Sequence, residues 1–191
     1  MRLILVRHGQ STWNAEGRLQ GLADPPLSTA GRAQCARLRP LVAALRPDVM
    51  VASDLARARE TAAVLAPGAM PDPRWREVDL GAWTGRRLVE LSARERAGLE
   101  RWRRGLRSPP AGESWDAARD RVADAVDALA HGGARRALVI AHGGAIRAAC
   151  TLLCGSDLAH LAGVPNASFS VIDTLPRPRL RAYGVAPSGG A

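Results

Sequence analysis

The chain has 191 residues, 47% of them hydrophobic and 24% charged, which suits one α/β-sized globular domain that needs no disulfide or metal staple. Three Cys, an odd number, argue against a disulfide framework, and no apolar run is long enough for a membrane span or a signal segment; both point to a cytoplasmic protein. The net charge of +9 comes from 27 basic residues that are all Arg, and with only seven aromatic residues this reads as compositional bias and an anionic substrate, not as a nucleic-acid or membrane partner.

In chain order, Leu3 to Val6 is a compact apolar run and reads as a buried strand. Ser28 can cap a helix to about Leu45, with a bend at Pro40. Val49 to Ala52 reads as a second strand, and Ser53 or Asp54 can cap a helix from about Leu55 to Ala66. Trp75 to Leu80 reads as extended and Gly85 to about Arg104 as helical. Ser114 can cap a helix through Ala130 with Val122, Ala125, Val126 and Leu129 on its apolar face. Ala137 to Ala141 is a third buried strand, and Gly143-Gly144 opens an apolar helix to Leu153. Ser168 to Asp173 and Leu180 to Tyr183 read as late strands, while 176–191 shifts toward Pro, Gly and Arg and reads as a partly flexible tail to a single domain over 1–191. Alternating strands and helices predict a three-layer α/β/α sandwich around a largely parallel sheet.

Ligands of such sheets sit at the carboxyl ends of strands. Three groups fall there: Arg7-His8, Ser53 to Arg57, and His142. An imidazole at a strand end can attack an electrophile, and Gly9 lets backbone approach closely; the plainer alternative is a histidine that only hydrogen-bonds. His142 repeats the pattern, with Gly143-Gly144 starting a helix whose N-terminus suits an anion. Arg57, near a helix N-terminus, opposes the helix dipole unless an anion compensates; a salt bridge to Asp54 is the plainer alternative. In Arg76 to Gly85 one of the carboxylates, Glu77 or Asp79, can act as a general acid if kept partly protonated, while a surface pair of Glu77 with Arg76 is the plainer alternative.

In this order, Arg7-His8-Gly9 followed by Ser11-Thr12-Trp13-Asn14, then Ser53 to Ala62, the Glu77 segment and Ala141-His142-Gly143-Gly144, the chain resembles the histidine phosphatase superfamily from Leu3 to about Asp173. That family includes cofactor-dependent phosphoglycerate mutases and many phosphomonoesterases. The resemblance implies a phosphoglycerate mutase-like fold, His8 as the nucleophile of a phosphohistidine, and Arg7, Arg57 and His142 as the cradle of the phosphoryl group; a bound dianion then favours a cationic His142. It also implies Glu77 as proton donor, Asn14 and Gly143 on the phosphate pocket, Gln20 and Gly21 in a loop beside the substrate, and Gly112-Glu113-Ser114 near it. No metal or other cofactor is needed in this scheme.

Family mutases tend to carry an insertion after the general acid; here only 27 residues, Arg86 to Gly112, separate Gly85 from Glu113. The expected activity is therefore hydrolysis of a small-molecule phosphomonoester, from sugar phosphates and phosphoglycerate derivatives to α-ribazole phosphate. The alternatives are a phosphoglycerate mutase and, from another class, a noncatalytic basic binding module. A homodimer is the assembly the resemblance suggests. Arg94, Arg96, Arg101, Arg103, Arg104 and Arg107 form a basic segment that either lies over the pocket, favouring a second anionic group, or is a solvated helical face. Cys35, Cys150 and Cys154 read as packing residues, and Trp13, Trp75, Trp83 and Trp115 as core or pocket wall.

Overall fold

The computed structural model describes residues 1–187. Strand β1 (Arg2–Arg7) forms on the first apolar run and alternates sides: Leu3 and Leu5 pack into one apolar layer, Ile4 and Val6 into the other. A short helix α1 (Thr12–Ala15) starts at Ser11, whose Oγ accepts from Asn14 N–H while Asn14 Oδ1 accepts from Ser11 N–H. Helix α2 (Thr29–Ala44) is capped by Ser28 and continues through Pro40. Strand β2 (Val49–Ala52), helix α3 (Ala56–Leu65) and a two-residue strand β3 (Met70–Pro71) follow.

The middle of the chain departs from the periodicity reading. Trp75 to Leu80 is not a strand but an irregular stretch between 3₁₀ turns at Pro73–Trp75 and Gly81–Trp83. The helix expected from Gly85 begins only at α4 (Ala93–Arg103), where Ser92 and Glu95 form a capping box; Gly85, at φ +81°, cannot sit in a right-handed helix. Helix α5 (Trp115–His131) starts at the expected cap Ser114, and strand β4 (Arg136–Ala141), helix α6 (Gly143–Cys154) and strands β5 (Phe169–Asp173) and β6 (Arg179–Val185) complete the order. Strand β6 thus occupies much of the segment read as a tail, and the end of that segment, 188–191, lies outside the described residues.

The six strands form one sheet in the order β3-β2-β4-β1-β5-β6, parallel from β3 to β1 and antiparallel at β5 and β6. One layer holds α5 and α6 with Trp75, Trp83, Trp102 and Trp115; the other holds α2 and α3. The architecture is the α/β/α sandwich expected from the sequence. Its consequence is positional: in the neighbouring strands β2, β4 and β1 the chain leaves the sheet at Ser53, His142 and His8 on the same edge. Among the described residues no helix is long and apolar enough to cross a membrane.

Candidate active site

His8 and His142 are wholly buried and face each other with ring centroids 5.1 Å apart. The His8 backbone N–H donates to Ala141 O (3.0 Å), which pins the end of β1 to β4. Its ring Nδ1 lies 2.7 Å from Gly9 O. A carbonyl only accepts, so Nδ1 carries the proton and Nε2 keeps the lone pair. Burial first, then the charges of Arg57 and Arg7, hold the His8 imidazole well below its ordinary value, against an upward pull from the Gly9 hydrogen bond. The same causes, burial first and Arg57 next, hold His142 well below its ordinary value, so the free site contains two neutral imidazoles. His142 Nε2 is 2.8 Å from Ser53 Oγ at the end of β2, and its Nδ1 is buried without a partner.

Arg57 is wholly buried near the start of α3. It makes no ion pair with Asp54, which instead pairs with Arg76 at 2.5 Å. Its terminal nitrogens donate to Ala23 O (2.7 Å) and Gly21 O (2.9 Å), and its Nε is buried without a partner. Burial pushes its pKa down to about 10, partly offset by the carboxylates of Glu77 and Asp24. The α3 N-terminus is capped neither by Ser53 nor by Asp54: Ala56 N–H donates to Asp24 Oδ1 (2.5 Å), from the loop whose carbonyls also hold Arg57. Ser53 Oγ accepts from Leu55 N–H (3.3 Å) and turns to His142. Arg7 donates through one terminal nitrogen to Val164 O, leaving its Nε buried and unpaired. Buried Nε donors of Arg7 and Arg57, together with Nδ1 of His142, a donor in the tautomer protonated there, are therefore unpartnered around His8; unpaired polar groups in low dielectric are costly unless a ligand takes them.

Glu77 does not pair with Arg76. Its Oε1 accepts from Val78 N–H (2.9 Å) and Gly144 N–H (2.8 Å), at the start of α6. That approach needs a glycine, because a Cβ at Gly144 would sit 2.3 Å from Oε1. Gly143 lies under Arg7, its position for a Cβ 3.7 Å from Arg7 Nε. Gln20 Oε1 accepts from Ser11 Oγ (2.8 Å), and Gly21, at φ +51°, has no room for a side chain beside Leu80. Asn14 Oδ1 accepts from Asn166 Nδ2 (3.2 Å), which also donates to His8 O (3.1 Å). Glu113 pairs with Arg121, whose guanidinium donates to Arg74 O and Arg76 O, so the Gly112-Glu113-Ser114 element braces the segment bearing Glu77.

Sequence reasoning missed three supports. Asn166 has no motif around it. Thr61 is wholly buried, accepts from Gly9 N–H (3.1 Å) and donates to Arg57 O (2.7 Å), joining the His8 turn to α3. Ser53 was legible as a polar strand end but not as the partner of a histidine 89 residues on. Cys150, pushed up to about 12 by burial, and Cys35, pushed up by the same cause, have the character of packing residues. Among the described residues no three His, Cys, Asp or Glu side chains gather as a metal site.

A sequence model of the histidine phosphatase superfamily (branch 1) matches residues 3–181. A probable phosphoglycerate mutase GpmB of Cronobacter sakazakii is 37% identical over 138 residues, covering 67% of this chain and 62% of that protein. A glucosyl-3-phosphoglycerate phosphatase of Mycolicibacterium vanbaalenii is 39% identical over 118 residues, covering 59% of this chain and 52% of that protein. The alignments thus span less than two thirds of these relatives' own length. Among solved structures, a mycobacterial glucosyl-3-phosphoglycerate phosphatase in complex with VO3 superposes with a TM-score of 0.89 at 31% identity, covering 97% of this chain and 99% of that one.

Proposed function

Since the chain belongs to the histidine phosphatase superfamily, we propose that it hydrolyses a small anionic phosphomonoester through a phosphohistidine at His8, without a metal-dependent step. The observation that carries this reading is the set of buried unpartnered nitrogens on Arg7, Arg57 and His142 around a neutral imidazole whose Nε2 is free. In the first step the Nε2 lone pair attacks phosphorus, the P–O bond to the leaving alcohol breaks, and Glu77 hands that oxygen a proton. In the second, Glu77 takes a proton from water, the water oxygen attacks phosphorus, the P–N bond breaks and inorganic phosphate leaves. Arg7, Arg57 and His142 hold the three equatorial oxygens throughout.

Magnitudes assign the labour. Phosphate monoester hydrolysis can require a rate enhancement up to ~10²¹, of which a general acid supplies about 10²–10⁴. The larger share falls to the cationic cradle and to alignment of His8. Ser53 accepts one hydrogen bond from Leu55 N–H, so its own hydrogen is available to His142 Nε2. In that arrangement His142 donates to phosphate through Nδ1 while remaining neutral.

The mutase reading draws support from the GpmB relatives. Hydrolysis is favoured by the short segment between Gly85 and Glu113 and by the near-complete coverage of the phosphatase structure. The test is phosphate release from a panel of phosphomonoesters in EDTA, wild type against His8→Ala, with isomer formation from 3-phosphoglycerate plus 2,3-bisphosphoglycerate followed alongside. Release that vanishes in His8→Ala, with an acid-labile phosphoryl group on His8, is the expected result. Dominant isomerisation would make the chain a mutase, and release that survives in His8→Ala would remove His8 from the mechanism.

A further inference from the structure

The loop from Val164 to Ser168, just ahead of β5, wraps the end of β1. Arg7 N–H donates to Ser168 O (2.9 Å), Ala167 N–H donates to His8 O (3.0 Å), and the Arg7 guanidinium donates to Val164 O. Asn166 adds a side-chain bridge. Its Nδ2 donates to His8 O (3.1 Å) and to Asn14 Oδ1 (3.2 Å), with a longer contact to Gly9 O at 3.4 Å. The atoms it faces are oxygens that only accept, which fixes the orientation of the Asn166 amide.

The turn itself does not call for an asparagine. Asn often serves in loops because it tolerates left-handed backbone, but here that conformation falls on the next residue, Ala167, at φ +47°. An L side chain adopts that region only against strain. What the strained turn achieves is convergence: the Ala167 N–H and the Asn166 amide meet on one carbonyl, that of the nucleophile His8. The far end of the bridge is Asn14. Its Oδ1 also accepts from Ser11 N–H (3.1 Å), so its amide cannot turn over without losing both bonds. Nδ2 of Asn14 is thereby the atom left to donate elsewhere, and it makes no hydrogen bond within the described residues.

We propose that Asn166 is a positioning residue for phosphoryl transfer, fixing the His8 main chain relative to the Asn14 amide so that Nε2 and the phosphoryl group meet in line. The proposal rests on the phosphohistidine reading and on Asn14 facing the phosphate. Asn166 acts through these two residues and not by contact with the substrate. Loss of the bridge leaves Arg7, Arg57 and His142 in place, so anion binding survives while alignment suffers. A displacement of about 1 Å at an aligned nucleophile can cost on the order of 10² in rate.

Orthovanadate against inorganic phosphate reads that alignment without turnover. Both anions fill the cradle, but vanadate also takes Nε2 of His8 as a fifth ligand and so mimics the transition state. Calorimetry on the full chain gives both dissociation constants for wild type, Asn166→Leu and Asn166→Ala. Leucine keeps the shape without a donor or a charge, and alanine adds no bulk, so either variant decides the matter if the other does not fold. The wild type should bind vanadate more tightly than phosphate. Both variants should lose vanadate affinity about ten- to a hundredfold, while phosphate affinity changes less than about threefold. A merely structural asparagine would lower the urea midpoint and leave the ratio of the two affinities as in the wild type. An unmoved ratio, or equal losses for both anions, would overturn the proposal while leaving hydrolysis at His8 standing. Absence of any vanadate preference in the wild type would remove the aligned nucleophile and the proposal with it. A preference that depends on Asn166, without turnover of any phosphomonoester, would count against the hydrolase reading alone.

Discussion

Replacing Gly144 by Ala should separate proton donation from the rest of the proposed chemistry. An added Cβ would lie 2.3 Å from Glu77 Oε1 and 2.8 Å from Val78 Cγ2. Val78 is wholly buried and cannot easily yield, whereas the carboxylate is the end of a flexible side chain, so Glu77 must retreat by about 1 Å to reach ordinary contact. That breaks its 2.8 Å hydrogen bond from Gly144 N–H. The lost charged hydrogen bond costs about 1.5–3 kcal/mol and the crowding of Val78 about 1–3 kcal/mol more, so urea unfolding of the variant accompanies the assay. A misplacement of about 1 Å can cost on the order of 10² in rate, and full loss of a general acid about 10²–10⁴. The assay is kcat/KM for an alkyl phosphate against 4-nitrophenyl phosphate. This parameter reads only as far as the first irreversible step, phosphoenzyme formation, so the later activation of water does not enter. The alkyl ester, whose leaving oxygen needs a proton, should lose at least about 10². The aryl ester, which departs as a stable phenolate, should lose less than tenfold. Equal losses on both esters would mean that the cradle and not the donor was disturbed, and no loss on either would remove Glu77 as the acid.

Arg57→Lys keeps the charge but cannot hold both Gly21 O and Ala23 O while facing the site, and should lower kcat/KM by about 10²–10³; a loss under tenfold would refute its role in the cradle. Thr61→Val leaves the buried Gly9 N–H without its acceptor, and urea unfolding should show a loss of about 1–3 kcal/mol, with an unchanged midpoint ruling out that bridge. The two buried imidazoles should also make stability depend on pH. Burial and the neighbouring arginines hold His8 and His142 well below 6.5, so between that pH and their folded-state values the unfolded chain binds protons that the folded chain does not. Stability then falls as pH drops below about 6.5, by up to about 1.4 kcal/mol per pH unit for each imidazole. His8→Gln combined with His142→Gln should flatten the dependence of the denaturation midpoint between pH 6.5 and 5; an unaltered slope would contradict it.

Legibility in the sequence followed the range of the interaction. His8 and His142 stood out because each ends an apolar run and is followed by glycine, a local signal of a strand end with close backbone approach. Arg57 was visible as a charge opposed to its helix dipole, but its partners, the carbonyls of Gly21 and Ala23, come from a loop more than thirty residues earlier. The α3 cap failed as an expectation for the same reason, since Asp24 took the position that Ser53 and Asp54 offered. Glu77 sits in a stretch of 3₁₀ turns with no periodicity, and only the resemblance set it apart from Asp79; what places it is the glycine at 144. Helix α4 was overextended because arginines and leucines from Gly85 on fit a helical pattern, while the start is set by the Ser92–Glu95 capping box.

The charge arrangement explains why the same residues serve both the free and the loaded site in the proposed reaction. Arg7 and Arg57 are hydrogen-bonded to main-chain carbonyls, and the nearby carboxylate of Glu77 is engaged by the Gly144 and Val78 amides. Burial first, and then these two positive charges, only partly offset by Glu77, hold both imidazoles neutral. A neutral His8 is what an attack on phosphorus requires, so the cations that await the phosphoryl group also keep the nucleophile ready for it. Once a phosphoryl dianion enters, it offsets those charges and restores basicity to the imidazoles, but by then Nε2 of His8 is directed at phosphorus and the His8 proton is fixed on Nδ1 by Gly9 O. Had either arginine been paired with a buried carboxylate, its downward pull on the imidazoles and its hold on the equatorial oxygens would weaken together.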